Sequence, residues 1–245
     1  MERVPVVPQN EGDVMEAAVT WETWEPVYDA IREDFGYDRV ADEAARDDVL
    51  QVGDTWCALE SLPSLQGTTV AIVGGASPQD GDTEKLAQAD AIVAAGDGAR
   101  VVSEAGRSVS ILVTDLDSTR HIPRTLTKQG TPVAVHAHGD NRELIASEVP
   151  KLETRWVLPT TQVEPQGPVV NLGGFTDGDR AAFLAHARGA EQLVFPGWDF
   201  DDPGVSETKR QKLAWAERLL LWLEEFREER FALLDGRRTG IAPLP

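Results

Sequence analysis

Apolar residues recur at helical intervals in the first and last parts of the chain. Residues 13–34 and 40–52 have this spacing and predict two helices, the first kinked at Pro26 and the second ended by Gly53. Near the other end, leucines and tryptophans form a stripe that predicts one long helix over 206–234. A stripe of this width must be buried, most simply against the N-terminal helices.

The middle of the chain alternates short β-branched runs with helical stretches. Predicted strands cover 70–73, 91–94, 110–113, 133–136, 155–158, 169–172 and 193–195, and predicted helices between them include 82–88, 99–105, 123–128, 141–149 and 177–188. This alternation predicts an α/β fold with a mostly parallel sheet and helices on both faces. The chain then divides into an N-terminal helical segment (1–66), an α/β catalytic domain (67–205) and a C-terminal long helix with a tail (206–245).

The chain is strongly acidic, with 42 Asp and Glu against 23 Lys and Arg in 245 residues and a net charge of −19. Repulsion from phosphates argues against nucleic acid as a partner, and no polybasic segment is present for an anionic membrane. The longest strongly apolar run, 219–223, is too short to span a bilayer. The N-terminus has no apolar segment typical of export, so we expect a cytoplasmic protein.

An acidic excess of this size, with Arg outnumbering Lys, is typical of proteins from salt-loving organisms, because salt screens the self-repulsion of the chain. An ordinary acidic enzyme is the alternative interpretation. The single cysteine, Cys57, excludes an internal disulfide framework and a zinc site built on cysteines.

Glycine, carboxylate and histidine residues follow most of the predicted strands. These segments are Gly-Gly-Ala-Ser-Pro at 74–78, Gly-Asp-Gly at 96–98, Asp-Leu-Asp at 115–117, His-Ala-His-Gly-Asp-Asn at 136–141 and Gly-Gly-Phe-Thr-Asp-Gly-Asp-Arg at 173–180. Ligands of open parallel sheets bind outside the carboxyl ends of the strands. The segments therefore predict one enzyme site at that edge of the sheet.

The glycine segments have two interpretations. The backbone N–H groups around Gly74 and Gly75, and the turn at Asp97 and Gly98, suit a phosphate group, but a plain strand-to-helix turn has the same composition. Neither segment is a Walker A loop or a GxGxxG dinucleotide fingerprint.

Asp115 and Asp117 indicate a ligand more specifically than the glycine segments do. If the strand continues through them, both carboxylates face the cleft because side chains alternate with a period of two. Neighbouring carboxylates repel each other unless a cation lies between them, and Mg²⁺ bound through carboxylates and substrate phosphates is the natural candidate. A solvated Asp-rich turn is the alternative.

His136 and His138 are two residues apart and share one face of an extended segment. Such rings bind a metal, transfer a proton or donate to phosphate, and the scarcity of other His and Cys residues favours phosphate contact. Arg180 adds a cation next to aspartates that suit helix capping. Lys209 and Lys212 begin the last helix, where they either neutralise phosphate or make the surface soluble.

Taken in order, the segments 73–78, 95–99, 114–117, 136–141 and 174–180 resemble those of archaeal 6-hydroxymethyl-7,8-dihydropterin pyrophosphokinases. The last two are the most specific parts of the resemblance. It implies a fold similar to that of thiamin pyrophosphokinase. It also implies transfer of pyrophosphate from ATP to a reduced pterin, with Mg²⁺ and release of AMP, in tetrahydromethanopterin or folate-type cofactor biosynthesis.

For such a reaction, the residue types and their positions suggest an expected role for each candidate residue. Mg²⁺ binds to Asp115 and Asp117, and the transferred phosphates contact His136, His138 and Arg180. The residues expected at ATP are Gly74, Gly75, Ser77, Asp97, Gly98, Lys209 and Lys212, and those expected at the pterin are Asp140, Asn141 and Asn171. The expected partners are small molecules, and association into a homo-oligomer through the terminal helices is left open.

Two other hypotheses remain at this point. One is a metal-dependent glycosyltransferase, similar to enzymes of flagellin modification, in which the Asp-Leu-Asp segment holds the metal. The other is a non-catalytic nucleotide-binding protein.

Overall fold

The computed structural model describes residues 19–118 and 121–245. The strands of this part are β1 (Thr69–Val73), β2 (Ala91–Ala95), β3 (Ile111–Thr114), β4 (Val133–Ala137), β5 (Val157–Thr161) and β6 (Gln192–Val194). They form one sheet in the order β5-β4-β3-β2-β1-β6, and every neighbouring pair is parallel. The predicted α/β fold with a parallel sheet is confirmed.

Helices flank the sheet and also precede and follow it along the chain. In the described part they are α1 (Trp21–Phe35), α2 (Arg39–Gln51), α3 (Asp82–Gln88), α4 (Gly98–Glu104), α5 (His121–Lys128), α6 (Arg142–Glu148), α7 (Asp177–Ala187) and α8 (Glu207–Arg227). None of these helices has the length and apolar character needed to cross a membrane.

Alternate residues of each strand face opposite sides of the sheet, and both sides are covered. Val70 and Ile72 of β1 belong to the core that contains α1, α7 and α8, whereas Ala71 and Val73 belong to the core that contains α2 to α6. Because the strands are buried on both sides, their sequences are apolar throughout rather than alternating.

The strand order reverses at β1, which lies between β2 and β6. Loops on the two sides of such a switch point diverge and open a crevice at the carboxyl ends of the strands. At its base the loops after β1 and β6 touch, with Gly74 N donating to Pro196 O and Ala76 N to Gly197 O, both at 3.0 Å. A Cβ atom on residue 74 would lie 2.4 Å from Gly197 O, so this contact requires glycine.

The predicted strand over 169–172 is wrong. Val169 and Val170 form only isolated bridges, to Gln166 and Thr160 respectively. The chain reverses tightly at this point, with Gln166 and Val169 exchanging both backbone hydrogen bonds, so no ladder develops. Residues 155 and 156 are also not in a strand, because Thr154–Trp156 forms a 3₁₀ turn before β5.

The predicted long helix ends at Arg227 rather than at residue 234. Glu228 takes a left-handed conformation (φ 50°), which ends the helix and turns the chain. Phe231 and Leu234 then pack onto the same core as α8, which is why the apolar pattern continued beyond the helix. Residues 13–18 of the predicted first helix lie outside the described residues, and the division into three parts stays a prediction.

Candidate active site

A cleft of about 700 Å³ lies at the carboxyl ends of the strands, and a volume of this size suits a nucleotide-sized ligand. The loops after β1, β2, β3, β4 and β6 form its base. They contribute Gly74, Gly75, Ala76, Gly96, Asp97, Asp115, Asp117, Ser118, His138, Gly139, Asp140, Gly197 and Trp198. The predicted convergence of the strand ends on one site is therefore present.

The carboxylate pair, Asp115 and Asp117, faces the cleft for a different reason from the one expected. The strand stops at Thr114, and Leu116 takes a left-handed conformation (φ 69°) that is rare for a residue other than glycine. Asp117 N donates to Asp115 Oδ1 at 3.0 Å, and Leu116 N donates to Thr114 Oγ1 at 3.0 Å. A tight turn, and not an extended strand, brings both carboxylates to one side.

The two carboxyl groups of the pair titrate very differently. Burial and the neighbouring Asp115 raise the pKa of Asp117 to about 6. Burial also opposes ionisation of Asp115, but hydrogen bonds with His138 and Asp117 hold the pKa of Asp115 below its usual value. The pair therefore holds one proton below about pH 6 and carries two negative charges above it.

His138 lies beside this pair. Its Nδ1 accepts a hydrogen bond from Asp140 N at 3.3 Å, so the proton of the neutral ring is on Nε2. Nε2 lies 3.7 Å from Asp115 Oδ2, which directs its N–H towards the carboxylate pair and the cleft.

Three cationic side chains line the cleft: Arg180 at the start of α7, and Lys209 and Lys212 at the start of α8. Arg180 is only 8% exposed, and its guanidinium donates to Gln162 Oε1 at 2.9 Å. Lys212 Nζ lies 5.8 Å from the centre of the Phe175 ring. All three are available to balance the charge of a bound anion.

One side of the cleft is formed by Tyr37, Asp38, Ala41 and Asp42, which we call the helical wall. Asp42 is buried, and its carboxylate accepts from Tyr28 Oη at 2.8 Å, Gln162 Nε2 at 2.7 Å and Gly139 N at 2.7 Å. This one side chain ties α1, α2, the loop after β4 and the end of β5 together.

The charge of the cleft favours a divalent cation. Nine aspartates line it against three Lys or Arg side chains, so an anionic ligand alone would be repelled. In the described residues no group of three or more His, Cys, Asp or Glu is arranged to hold a metal ion. Two carboxylates that need a counter-charge nevertheless fit Mg²⁺, which is usually bound through one or two carboxylates and substrate phosphates.

Ten of the residues expected at the site line the cleft: Gly74, Gly75, Asp97, Asp115, Asp117, His138, Asp140, Arg180, Lys209 and Lys212. Five do not. Ser77 is exposed outside it, and Gly98 is buried against β1, where a Cβ atom would lie 2.0 Å from Val73 O. His136, Asn141 and Asn171 have structural contacts instead.

Those three side chains bond to the protein itself. Asn141 Nδ2 donates to Asp115 O and His136 O at 2.9 and 2.7 Å, which holds the loops after β3 and β4 together. Asn171 donates to Val163 O at 2.9 Å and accepts from Gly173 N at 3.0 Å. His136 is fully buried, since every residue of β4 is enclosed between the two cores.

The backbone around Gly74 also has less capacity for phosphate than expected. The N–H groups of Gly74 and Ala76 donate to the loop after β6, so neither is available to a ligand.

Sequence reasoning missed the helical wall, Gln162 and Asp177. No local pattern marks the first two. The sequence did offer an indication for Asp177. Thr176 and Asp179 complete a capping box between them, so the start of α7 does not need the carboxylate of Asp177. Asp177 Oδ1 is buried without a partner, and burial and the nearby Asp115 raise the pKa of Asp177 well above its usual value.

An open parallel sheet with carboxylates and cations at its carboxyl edge is typical of enzymes that act on nucleotides and other phosphorylated ligands. Comparison with known proteins is more specific. A Pyrococcus furiosus protein named 6-hydroxymethyl-7,8-dihydropterin pyrophosphokinase is 36% identical over 222 residues, covering 83% of this chain and 94% of its own. A Methanothermobacter thermautotrophicus protein of the same name is 35% identical, with the same coverage.

A third protein of that name, from Methanocaldococcus jannaschii, is 30% identical over 82% of this chain and 95% of its own. No protein-family model matches the chain. On the identity and coverage of these three relatives, the chain belongs to the 6-hydroxymethyl-7,8-dihydropterin pyrophosphokinase family.

Proposed function

We propose that this protein transfers pyrophosphate from ATP to 6-hydroxymethyl-7,8-dihydropterin and releases AMP. The relatives are named as pyrophosphokinases of this pterin, and they match along most of the chain. The observation that supports it most directly is the carboxylate pair facing a cleft that also contains Arg180, Lys209 and Lys212. Cytoplasmic location and adaptation to high salt stay predictions.

In the proposed reaction the hydroxymethyl group loses its proton to water and its oxygen bonds to the β-phosphorus of ATP. The bond from that phosphorus to the α,β-bridging oxygen breaks, and AMP leaves with that oxygen. Such a transfer depends mainly on positioning and charge stabilisation. Asp115 and Asp117, with Asp97 nearby, would hold Mg²⁺, which supplies positive charge to the phosphate oxygens. Arg180 and His138 Nε2 donate to the transferred phosphates, and Lys209 and Lys212 balance the remaining charge.

Asp140 is the remaining candidate for the pterin, whose pyrimidine edge has adjacent N–H donors that suit a carboxylate. It is exposed beside His138 and lines the cleft next to the helical wall. The aromatic ring of Tyr37 in that wall offers a flat apolar surface to a bicyclic ligand.

The test uses ATP labelled at the γ-phosphate together with the reduced pterin. We expect the label in the pterin product and unlabelled AMP as the second product. Release of ADP would indicate attack at the γ-phosphorus and a simple kinase. Hydrolysis of a sugar nucleotide without turnover of the pterin would support the glycosyltransferase hypothesis, and nucleotide binding without any turnover would support a non-catalytic protein.

A further inference from the structure

Arg180 and His136 have hydrogen-bonding capacity inside the protein that no side chain fills. Arg180 Nε and His136 Nε2 are both buried without a partner. Both residues line a second and much smaller cavity, of about 10 Å³, between the sheet and α7. Two unpartnered polar groups at one cavity need an explanation, because a buried polar group left without a partner destabilises the fold.

The hydrogen bonds of Thr160 favour one tautomer of His136. Thr160 Oγ1 donates its single proton to Val135 O at 3.2 Å, so it accepts from His136 Nδ1 at 3.1 Å. Burial holds the pKa of His136 well below its usual value, so the ring is neutral. Its Nε2 therefore carries a lone pair, whereas Arg180 Nε carries a proton.

We propose that this cavity holds one buried water molecule, which accepts a hydrogen bond from Arg180 Nε and donates one to His136 Nε2. The donor and the acceptor are complementary, but they do not bond to each other directly. The cavity has about the volume that a single water requires, and its lining is polar enough to hold one, with Thr160 and Thr161 also present.

This water would help to orient the Arg180 guanidinium towards the cleft. This step of the inference rests on the proposed function, in which Arg180 contacts the transferred phosphates. Gln162 holds the guanidinium on another side: its Oε1 accepts from Arg180 at 2.9 Å, while its Nε2 donates to Asp42 at 2.7 Å. With Nε bound to the water and one terminal nitrogen bound to Gln162, the remaining N–H groups are left for the cleft, which Arg180 lines. His136 and Gln162 are thus positioning residues.

The first test is a high-resolution crystal structure of the full chain. We expect density for one water within hydrogen-bond distance of both Arg180 Nε and His136 Nε2. An empty cavity, or a direct bond between the two residues, would overturn the proposal. This result does not depend on turnover, so it stands even if the proposed function fails.

The second test compares His136→Asn with His136→Gln. The shorter Asn keeps a polar atom near Thr160 but has no acceptor at the cavity, whereas the longer Gln places its amide oxygen near the position of Nε2. We expect His136→Asn to lower kcat about tenfold with an unchanged KM for the pterin, and His136→Gln to stay within about twofold of the wild type.

The effect of His136 should also require Arg180. In Arg180→Lys a methylene replaces Nε, so adding His136→Asn should lower kcat no further. An equal loss in both backgrounds, or equal losses in the Asn and Gln variants, would refute the positioning role. If the wild type transfers pyrophosphate but its crystal structure has no water in the cavity, this inference fails and the proposed function stands. If the water is present but the wild type transfers no pyrophosphate, only the proposed function fails.

Discussion

The carboxylate pair and the helical wall are both acidic parts of one cleft, but they are built in opposite ways. Within the described residues no Lys or Arg forms an ion pair with Asp115 or Asp117, and His138 Nε2 lies 3.7 Å from Asp115 Oδ2. Asp42 in the wall is bonded to three donors at 2.7–2.8 Å. The pair has charge left for a ligand, whereas the carboxylate of Asp42 is already used by the protein.

This difference separates binding capacity from structural support. A carboxylate that the protein leaves unbalanced lowers stability and gains its partner only when a ligand arrives. A carboxylate that receives several buried hydrogen bonds stabilises the fold, and its loss leaves those donors unpaired. Substitutions in the two regions should therefore have opposite effects on stability.

The largest expected effect is that of Asp117→Asn on turnover. We expect kcat, measured as AMP release, to fall at least about 100-fold, because the variant loses one of the two carboxylates proposed to hold Mg²⁺. The free energy of unfolding should stay equal or rise, since repulsion from Asp115 disappears. Asp54→Asn, an exposed aspartate outside the cleft, is the matched control. Full activity in EDTA, or in Asp115→Asn/Asp117→Asn, would contradict the prediction.

Asp42→Ala should have the second-largest effect, and it should act on stability. Removing the carboxylate leaves Tyr28 Oη, Gly139 N and Gln162 Nε2 without their acceptor, so we expect the free energy of unfolding to fall by about 2 kcal/mol or more. Denaturant unfolding of the variant and the wild type measures this change in the free energy of unfolding. Tyr28→Phe removes one of the three bonds and should cost about 1 kcal/mol. If Asp42→Ala were as stable as the wild type, the contrast between the two regions would be lost.

The contrast between the carboxylate pair and the helical wall also explains which parts of the site could be predicted from the sequence. Asp115, Asp117 and His138 follow strands directly, so local pattern and the rule for parallel sheets were enough to predict their convergence. The predicted geometry of Asp115 and Asp117 was nevertheless incomplete. The pair turns towards the cleft because Leu116 is left-handed, and nothing in the sequence indicates that conformation. The sheet itself was predictable since its strands are apolar on both faces.

The helical wall was not predictable in this way. Asp42 meets Gln162 and Gly139 across 120 and 97 residues of chain, and no local pattern encodes contacts of that range. His136 shows the converse error. Its spacing from His138 matched a shared face, but β4 continues through His136 and buries it, while the chain leaves the sheet before His138.

Asp82→Asn tests whether a carboxylate next to the glycine loops stabilises the fold through accepted hydrogen bonds, as Asp42 of the helical wall does. Asp82 accepts from Gln79 N and Gly197 N at 2.9 and 2.8 Å and from Lys85 at 2.9 Å. Burial opposes the shift, but these bonds lower the pKa of Asp82 below its usual value.

A lowered pKa means that the unfolded state takes up the proton first as the pH falls. The stabilisation by Asp82 is therefore fully present above about pH 4, the usual pKa of a free Asp, and is lost on further acidification. We expect Asp82→Asn to cost about 1 kcal/mol at pH 7, with the difference from the wild type shrinking towards pH 3 in urea titrations. A difference that grows at low pH would refute this assignment, and Glu84→Gln on the same helix is the control.

The smallest expected effect is a difference in salt response between the two regions. With a net charge of −19, the wild type should melt at a higher temperature in 1 M KCl, where the Debye length is about 3 Å, than in dilute buffer. Asp115→Asn/Asp117→Asn removes charge that the protein leaves unbalanced, so without divalent cations its melting temperature should rise less with KCl. Asp42→Asn should respond like the wild type, because hydrogen bonds already compensate that carboxylate. Far-UV circular dichroism melts of the three proteins measure this, and an equal response in all three would show that the unbalanced charge lies elsewhere on the surface.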